Sequence, residues 1–273
     1  MIDKFVNFTE TQCSLGLTSG FSIFSLEIRW YAISYILGLI LGQIYIKNII
    51  KVQNYKNYIT NIHIESFLIW AMLGIIIGGR LGYIIFYNFS FYINSPIKIL
   101  YVWQGGMSFH GGLIGITLSM LLFSLKNNLK FLNLTDLICA AAPIGIFLGR
   151  ISNFLNGELW GKESNLPWAI VFKCAGSTSR HPSQLYEAFL EGIIIFGVLY
   201  YCIFKFKLLK TPGKISGLFC MLYASSRIII EFFREPDRHI GLIYSYYTIG
   251  MFLSLPILLI GIYLCFYKKS IKN

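Results

Sequence analysis

LICAAAPIGIFLGRISNFLNGELWG (137–161) is the stretch on which the reading of this chain turns. Its first part, Leu137 to Leu148, is an apolar run. The following part, Gly149 to Gly161, sets Arg150, Asn153, Asn156 and Glu158 within three helical turns or fewer. An arginine at mid-depth in a bilayer costs roughly 2.5 to 3.5 kcal/mol unless it is paired or wet, so polar clusters in apolar segments read as functional sites. The competing reading is a helix end whose charges snorkel to the interface. The remainder of the chain decides between the two.

Composition supports a membrane setting. The chain has 273 residues, of which 56% are hydrophobic, 17% aromatic and only 13% charged, and the mean hydropathy is +0.64. A soluble domain carries about twice that charged fraction. The net charge of +11 suits nucleic acid or a membrane surface. Its lysines sit in short segments between apolar runs and form no single patch, which favours the membrane and argues against nucleic acid. The polar start MIDKFVNFTETQC, with no small-residue cleavage site after the first apolar run, predicts a retained first helix and no removable signal peptide. The six cysteines show no paired spacing, and four of them (Cys139, Cys202, Cys220, Cys265) fall inside apolar runs as small hydrophobes. His63, His110, His181 and His239 are scattered, so no metal site and no cofactor are expected.

Apolar runs long enough to cross about 30 Å of hydrocarbon lie near 21–46, 64–87, 107–125, 135–153, 185–206, 214–233 and 243–267. They predict an all-α integral membrane protein, a single polytopic domain over 1–273 of about seven transmembrane helices, with a small external loop or flap at about 161–183. Segments 47–61, 126–134, 205–214 and the tail hold uncompensated lysines, whereas 88–106 and 234–242 hold few or balanced charges. The positive-inside rule then predicts a periplasmic N-terminus and a cytoplasmic C-terminus. Gly74, Gly78 and Gly82, Gly111 and Gly115, and Gly145 and Gly149 recur every fourth residue, marking faces where helices pack closely.

With that topology Arg29, Arg80, His110, Arg150, His181, Gln184, Glu187, Arg227, Glu231 and Arg234 all fall toward the outer side. One-sided convergence favours a site over snorkelling. Tyr223, Arg227, Glu231 and Arg234 follow i, i+4, i+8, i+11 and form one helical stripe. Guanidinium forks bind phosphate oxygens bidentately and stay charged; the asparagine amides can donate to phosphate or a polyol, and Glu158 can accept from hydroxyls. A histidine beside two glycines, His110, suits a proton acceptor. Residue chemistry thus reaches an outward-opening membrane site for an anionic lipid.

FHGGLIG (109–115), GRISNFLNGELWG (149–161), RHPSQLYEA (180–188) and SRIIIEFFREPD (226–237), in that order, resemble the motifs of the bacterial phosphatidylglycerol–prolipoprotein diacylglyceryl transferase family. The resemblance extends from TrpTyr (30–31) through GGRLGYIIFYN (78–88) to the last helix. Ser152 stands where that family usually has Gly or Ala, Gln104 where Asp is common, and the loop 161–180 is short. The resemblance implies transfer of the diacylglyceryl group of phosphatidylglycerol to the thiol of a lipobox cysteine in prolipoprotein signal peptides, at the outer face of the bacterial inner membrane. For that chemistry His110 is the expected catalytic proton acceptor and Arg150 and Arg227 the catalytic groups that stabilise the departing phosphate, while the resemblance implies Arg150, Asn153, Asn156, Glu158, Tyr31, Tyr223 and Glu231 as binding the lipid substrate. Glu231 or Glu158 are the other candidates for the proton acceptor. A transporter or flippase would use similar arginines, but should carry polar residues through the whole depth and broken helices at the midplane; a purely structural subunit leaves Arg80, Arg150, Arg227 and Glu231 without a task.

Overall fold

The computed structural model describes residues 6–9, 20–23, 26–55, 58–102, 105–236 and 248–266. Among them the chain is mostly helical: α1 (Trp30–Val52), α2 (Asn61–Tyr87), α3 (Phe89–Asn94), α4 (Phe109–Lys126), α5 (Phe131–Leu155), α6 (Ser183–Phe204), α7 (Lys214–Glu231) and α8 (Ile249–Phe266). Five of these, α1, α2, α4, α5 and α6, are long and apolar enough to cross a membrane. The apolar part of α8 is shorter, and α7 is made less apolar by its stripe of Arg227 and Glu231. Large side chains such as Ile44, Ile69, Phe86, Leu125 and Ile260 stand bare on the helix surfaces. Hydrocarbon accommodates such faces and water does not.

The expected boundaries need one clear correction. The apolar run from Phe21 does not open a helix: β1 (Val6–Thr9), β2 (Gly20–Ile23) and β3 (Leu26–Arg29) form an antiparallel sheet in that order, and α1 starts only at Trp30. A second small pair, β4 (Ile170–Val171) with β5 (Ser179–Arg180), lies in the 161–183 segment. The described chain is mostly helical, consistent with an all-α membrane protein, and carries two small antiparallel sheets in addition to its helices. Short apolar runs do not separate strand from helix by composition, which is why the sequence reading extended the first helix too far. The run expected from 243 begins as α8 at Ile249, and 243–247 lies outside the described residues.

The chain forms two compact units, Met1–Tyr45 with Asp136–Asn273, and Ile46–Thr135. In the second, α2 and α4 run antiparallel through the glycine faces. A Cβ on Gly78 or Gly82 would lie 2.7 Å from the Cα of Gly115 or Gly111, respectively, so any larger residue must force the helices apart. Thr60 caps α2 in a reciprocal box with His63, and Ser108 caps α4 by accepting from the Gly111 amide at 3.2 Å.

In the first unit, Gly38 of α1 approaches Gly145 of α5, while the Cβ position of Gly149 faces open space. The Ser152 hydroxyl lies 2.5 Å from that of Ser34 and reaches the Trp30 carbonyl, tying α5 to α1. At the other end of α5, buried Asp136 accepts from the Gly213 amide (2.7 Å), the Ser216 amide (2.8 Å) and the Ser216 hydroxyl (2.7 Å). Gly213, the N-cap of α7, has no side chain to offer. A carboxylate borrowed from another helix satisfies those amides.

Candidate active site

Arg150 sits near the C-terminal end of α5, Arg227 near that of α7, and Glu187 and Glu191 in the first turns of the antiparallel α6. These four groups, with Glu231 and Arg234, join in a ladder of alternating charge. Glu191 Oε2 meets Arg150 Nη2 at 3.3 Å, and Arg150 Nη1 meets Glu187 Oε2 at 2.7 Å. Glu187 Oε1 meets Arg227 Nη1 at 3.0 Å, and Glu231 Oε1 then bridges Arg227 Nη2 (2.5 Å) and Arg234 Nη1 (3.2 Å). Three carboxylates against three guanidiniums leave the ladder neutral, which is what burial of so many charges requires.

The ladder has a back and a front. The carboxylates of Glu187 and Glu191 are fully buried, whereas the side chains of Arg150 and Arg227 keep 19% and 14% of their surface. A guanidinium carries five N–H donors. Arg150 and Arg227 each spend two nitrogens on carboxylates from behind and make no hydrogen bond through Nε among the described residues. They can therefore take an anion in front. Local geometry supports this placement: α6 widens into a π-helical stretch, Ala188–Ile194, directly after Glu187 and across Glu191, an irregularity common at functional sites.

The second half of the opening stretch folds back beside Arg150. Gly157 has φ +63°; its amide bonds to the Phe154 carbonyl (3.0 Å) and that of Glu158 to the Asn153 carbonyl (3.1 Å). This is a Schellman ending, and glycine supplies the left-handed residue it needs. The turn returns the Glu158 carboxylate to its own helix, where it accepts from Asn153 (3.1 Å) and Asn156 (3.4 Å). Asn153 also donates to the Tyr31 hydroxyl of α1. Tyr31 lies within electrostatic reach of Arg150, and Tyr223 within reach of Glu191, Arg150, Arg227 and Glu187. Tyr31, Arg150, Asn153, Asn156, Glu158, Tyr223, Arg227 and Glu231 thus gather at one end of the first unit.

His110 belongs to the other unit. It is the second residue of α4, exposed, with its ring edge-on to Phe109 at 5.6 Å. The sequence reading leaves Glu187 at a helix end without a role and passes over Glu191. Their signal is the spacing Gln184, Glu187, Glu191 along one face of an otherwise apolar helix.

The 161–183 segment is tied down on two sides. Gly161 bonds to His181 (2.9 Å), Lys162 to Phe233 (2.8 Å) and Ser164 to Ser179 (2.9 Å), while Arg180 reaches Glu235 at 3.1 Å and Glu163 at 3.4 Å. Cys174 in this segment is disulfide-bonded, a pairing that cysteine spacing does not reveal. His181 packs against Tyr186 and Phe233. Burial, with the Lys162 charge adding to it, holds its imidazole below the usual histidine value.

The model of the prolipoprotein diacylglyceryl transferase family matches residues 19–267. The phosphatidylglycerol–prolipoprotein diacylglyceryl transferase of Rickettsia felis is 49% identical over 244 residues, covering 89% of this chain and 93% of the relative. Those of Agrobacterium fabrum and Sinorhizobium medicae are 46% identical, covering 91% and 89% of each chain, respectively. The site therefore lies in a chain that belongs to the prolipoprotein diacylglyceryl transferase family.

Proposed function

We propose that this chain transfers the diacylglyceryl group of phosphatidylglycerol to the lipobox cysteine thiol of a prolipoprotein, the first step of lipoprotein maturation, and that Arg150 and Arg227 hold the reacting phosphate. The observation that carries the residue assignment is the ladder: two guanidiniums from separate helices share Glu187 and keep donors in reserve.

A thiolate is the nucleophile, and free cysteine has a pKa of about 8.5, so the thiol needs a base or a positive field. His110 takes the proton. The sulfur attacks the glycerol carbon that bears the phosphate; a C–S bond forms, the C–O bond breaks, and glycerol phosphate leaves with the electron pair. Negative charge grows on the departing phosphate, where Arg150 and Arg227 stabilise it, an effect of about 3 to 4 kcal/mol for one well-placed donor. Asn153, Asn156, Glu158, Tyr31, Tyr223 and Glu231 line the pocket and bind the lipid headgroup. Seven spans, with the N-terminus periplasmic and the C-terminus cytoplasmic, place this chemistry at the outer face of the inner membrane. The uncompensated lysine segments support that orientation, as does a disulfide at Cys174, since disulfides persist in oxidising compartments.

Mass spectrometry of a synthetic lipobox peptide incubated with the purified protein and phosphatidylglycerol tests the reading. One diacylglyceryl group on cysteine, absent with Arg150→Ala, is the expected result. An unmodified peptide alongside Arg150-dependent lipid binding would leave a lipid site with a different task, such as transport. The pH–rate profile of His110→Gln tests the base: a substantial rate with an unchanged profile removes His110 from that role.

A further inference from the structure

Arg80 is the charged residue of GGRLGYIIFYN that the proposed chemistry leaves unassigned. It is 4% exposed, and the acidic residue of its unit, Glu65, is already paired with Lys47 at 2.6 Å. Its partners are instead backbone carbonyls. Nε donates to Ile99 (2.9 Å), Nη1 to Gly105 (2.5 Å) and Gly106 (3.2 Å), and Nη2 to Lys98 (2.6 Å) and Tyr101 (3.3 Å). Five carbonyls meet the five donors a guanidinium possesses, and the Tyr92 ring covers its face at 5.0 Å from Cζ. No donor is left for a phosphate.

We infer that Arg80 is a positioning residue: it gathers a strap whose described residues are 98–102 and 105–106 and thereby sets the first turn of α4, which carries His110. The described part of the strap is short 3-10 turn and coil, where the Lys98 carbonyl also accepts from the Tyr101 amide at 3.2 Å, and polar backbone close to hydrocarbon needs such donors. Gly105 and Gly106, at φ +85° and +77°, curl it around the guanidinium. A Cβ on Gly106 would lie 2.7 Å from the Tyr83 ring and 3.0 Å from Arg80 Nη1, so the curl is built for glycine. Two residues on, the Ser108 amide bonds to the Gly79 carbonyl at 2.9 Å, next to Arg80 in sequence, and the Ser108 hydroxyl caps α4. A lysine offers three donors from one point and cannot hold both ends of the strap.

This inference rests on the assignment of His110 as the base, and the test separates the two. In vesicles containing phosphatidylglycerol, Arg80→Lys in the full chain should lower kcat ~10- to 100-fold, as small misplacements of a catalytic group do, with KM for the lipid unchanged. Amide exchange should quicken in 98–112 and stay at the wild-type rate along the rest of α2 and α4. Gly106→Ala, which keeps the guanidinium, should reproduce both effects. Adding Arg80→Lys to His110→Gln should not lower the residual rate further. A raised KM at unchanged kcat makes Arg80 a lipid ligand, and faster exchange along all of α2 and α4 makes it a general folding residue; either result overturns the inference. Wild-type turnover by His110→Gln removes the base assignment and with it the link to His110, while exchange and Gly106→Ala still decide whether Arg80 holds the strap.

Discussion

Two arginine sites in this protein solve the burial of a guanidinium in opposite ways. Arg80 meets five carbonyl oxygens and no carboxylate, so its hydrogen bonds are complete and its charge is not neutralised by a partner. Arg150 and Arg227 meet carboxylates through two nitrogens each, so their charge is balanced while their hydrogen bonding is not. A saturated arginine can organise backbone but has nothing left for a ligand. A paired arginine with donors in reserve can exchange with an incoming anion at little electrostatic cost. Residue type is the same in both; donor count separates scaffold from site.

The comparison breaks most readily at the ladder. Arg227→Ala should abolish thioether formation, at least the ~10²- to 10³-fold loss seen when one donor to developing charge is removed, while membrane insertion and the strap held by Arg80 are kept; full activity in a peptide lipidation assay would take Arg227 out of the mechanism. Glu187→Ala tests the balance of charge. Losing the shared carboxylate leaves two guanidiniums facing each other, so thermal denaturation in detergent should show a loss of about 3 to 5 kcal/mol, the usual cost of removing one partner of a buried pair. An unchanged midpoint would mean that the arginines are solvated and the ladder is incidental. At the far end of the same helices, Asp136→Ala strips the acceptor from the Gly213 and Ser216 amides. A loss of about 1 to 3 kcal/mol follows from leaving buried donors unmet, and chemical denaturation measures it.

The smallest effect is that of pH on the β4–β5 ribbon. The folded state holds His181 below its usual value, so the neutral form is favoured there. The associated stability is complete above the unfolded pKa of about 6.5 and is lost as pH falls through the lower folded value. Fluorescence of Trp168, whose indole donates to Tyr186 at 2.8 Å, should report loosening of this ribbon between neutral and mildly acidic pH. His181→Gln should flatten that dependence.

Much of this was legible in the sequence. The apolar runs mark the helices, and the stripe Tyr223, Arg227, Glu231, Arg234 carries two adjoining ion pairs of the ladder at i, i+4 and i+3. Glu187 and Glu191 were harder to assign because their partners lie about forty residues away on other helices. Strands β2 and β3 escaped because a short apolar run has no length by which to tell strand from helix.

That the chain is a multi-pass membrane protein could be read before its fold, because hydrophobic length and charge placement are properties of each segment taken alone. Residue chemistry likewise supplies the side chains that suit a phosphate. Which arginines keep N–H donors in reserve is visible in the fold alone. Availability depends on how many of five N–H groups are already spent, and those partners are brought by backbone and carboxylates distant in the chain.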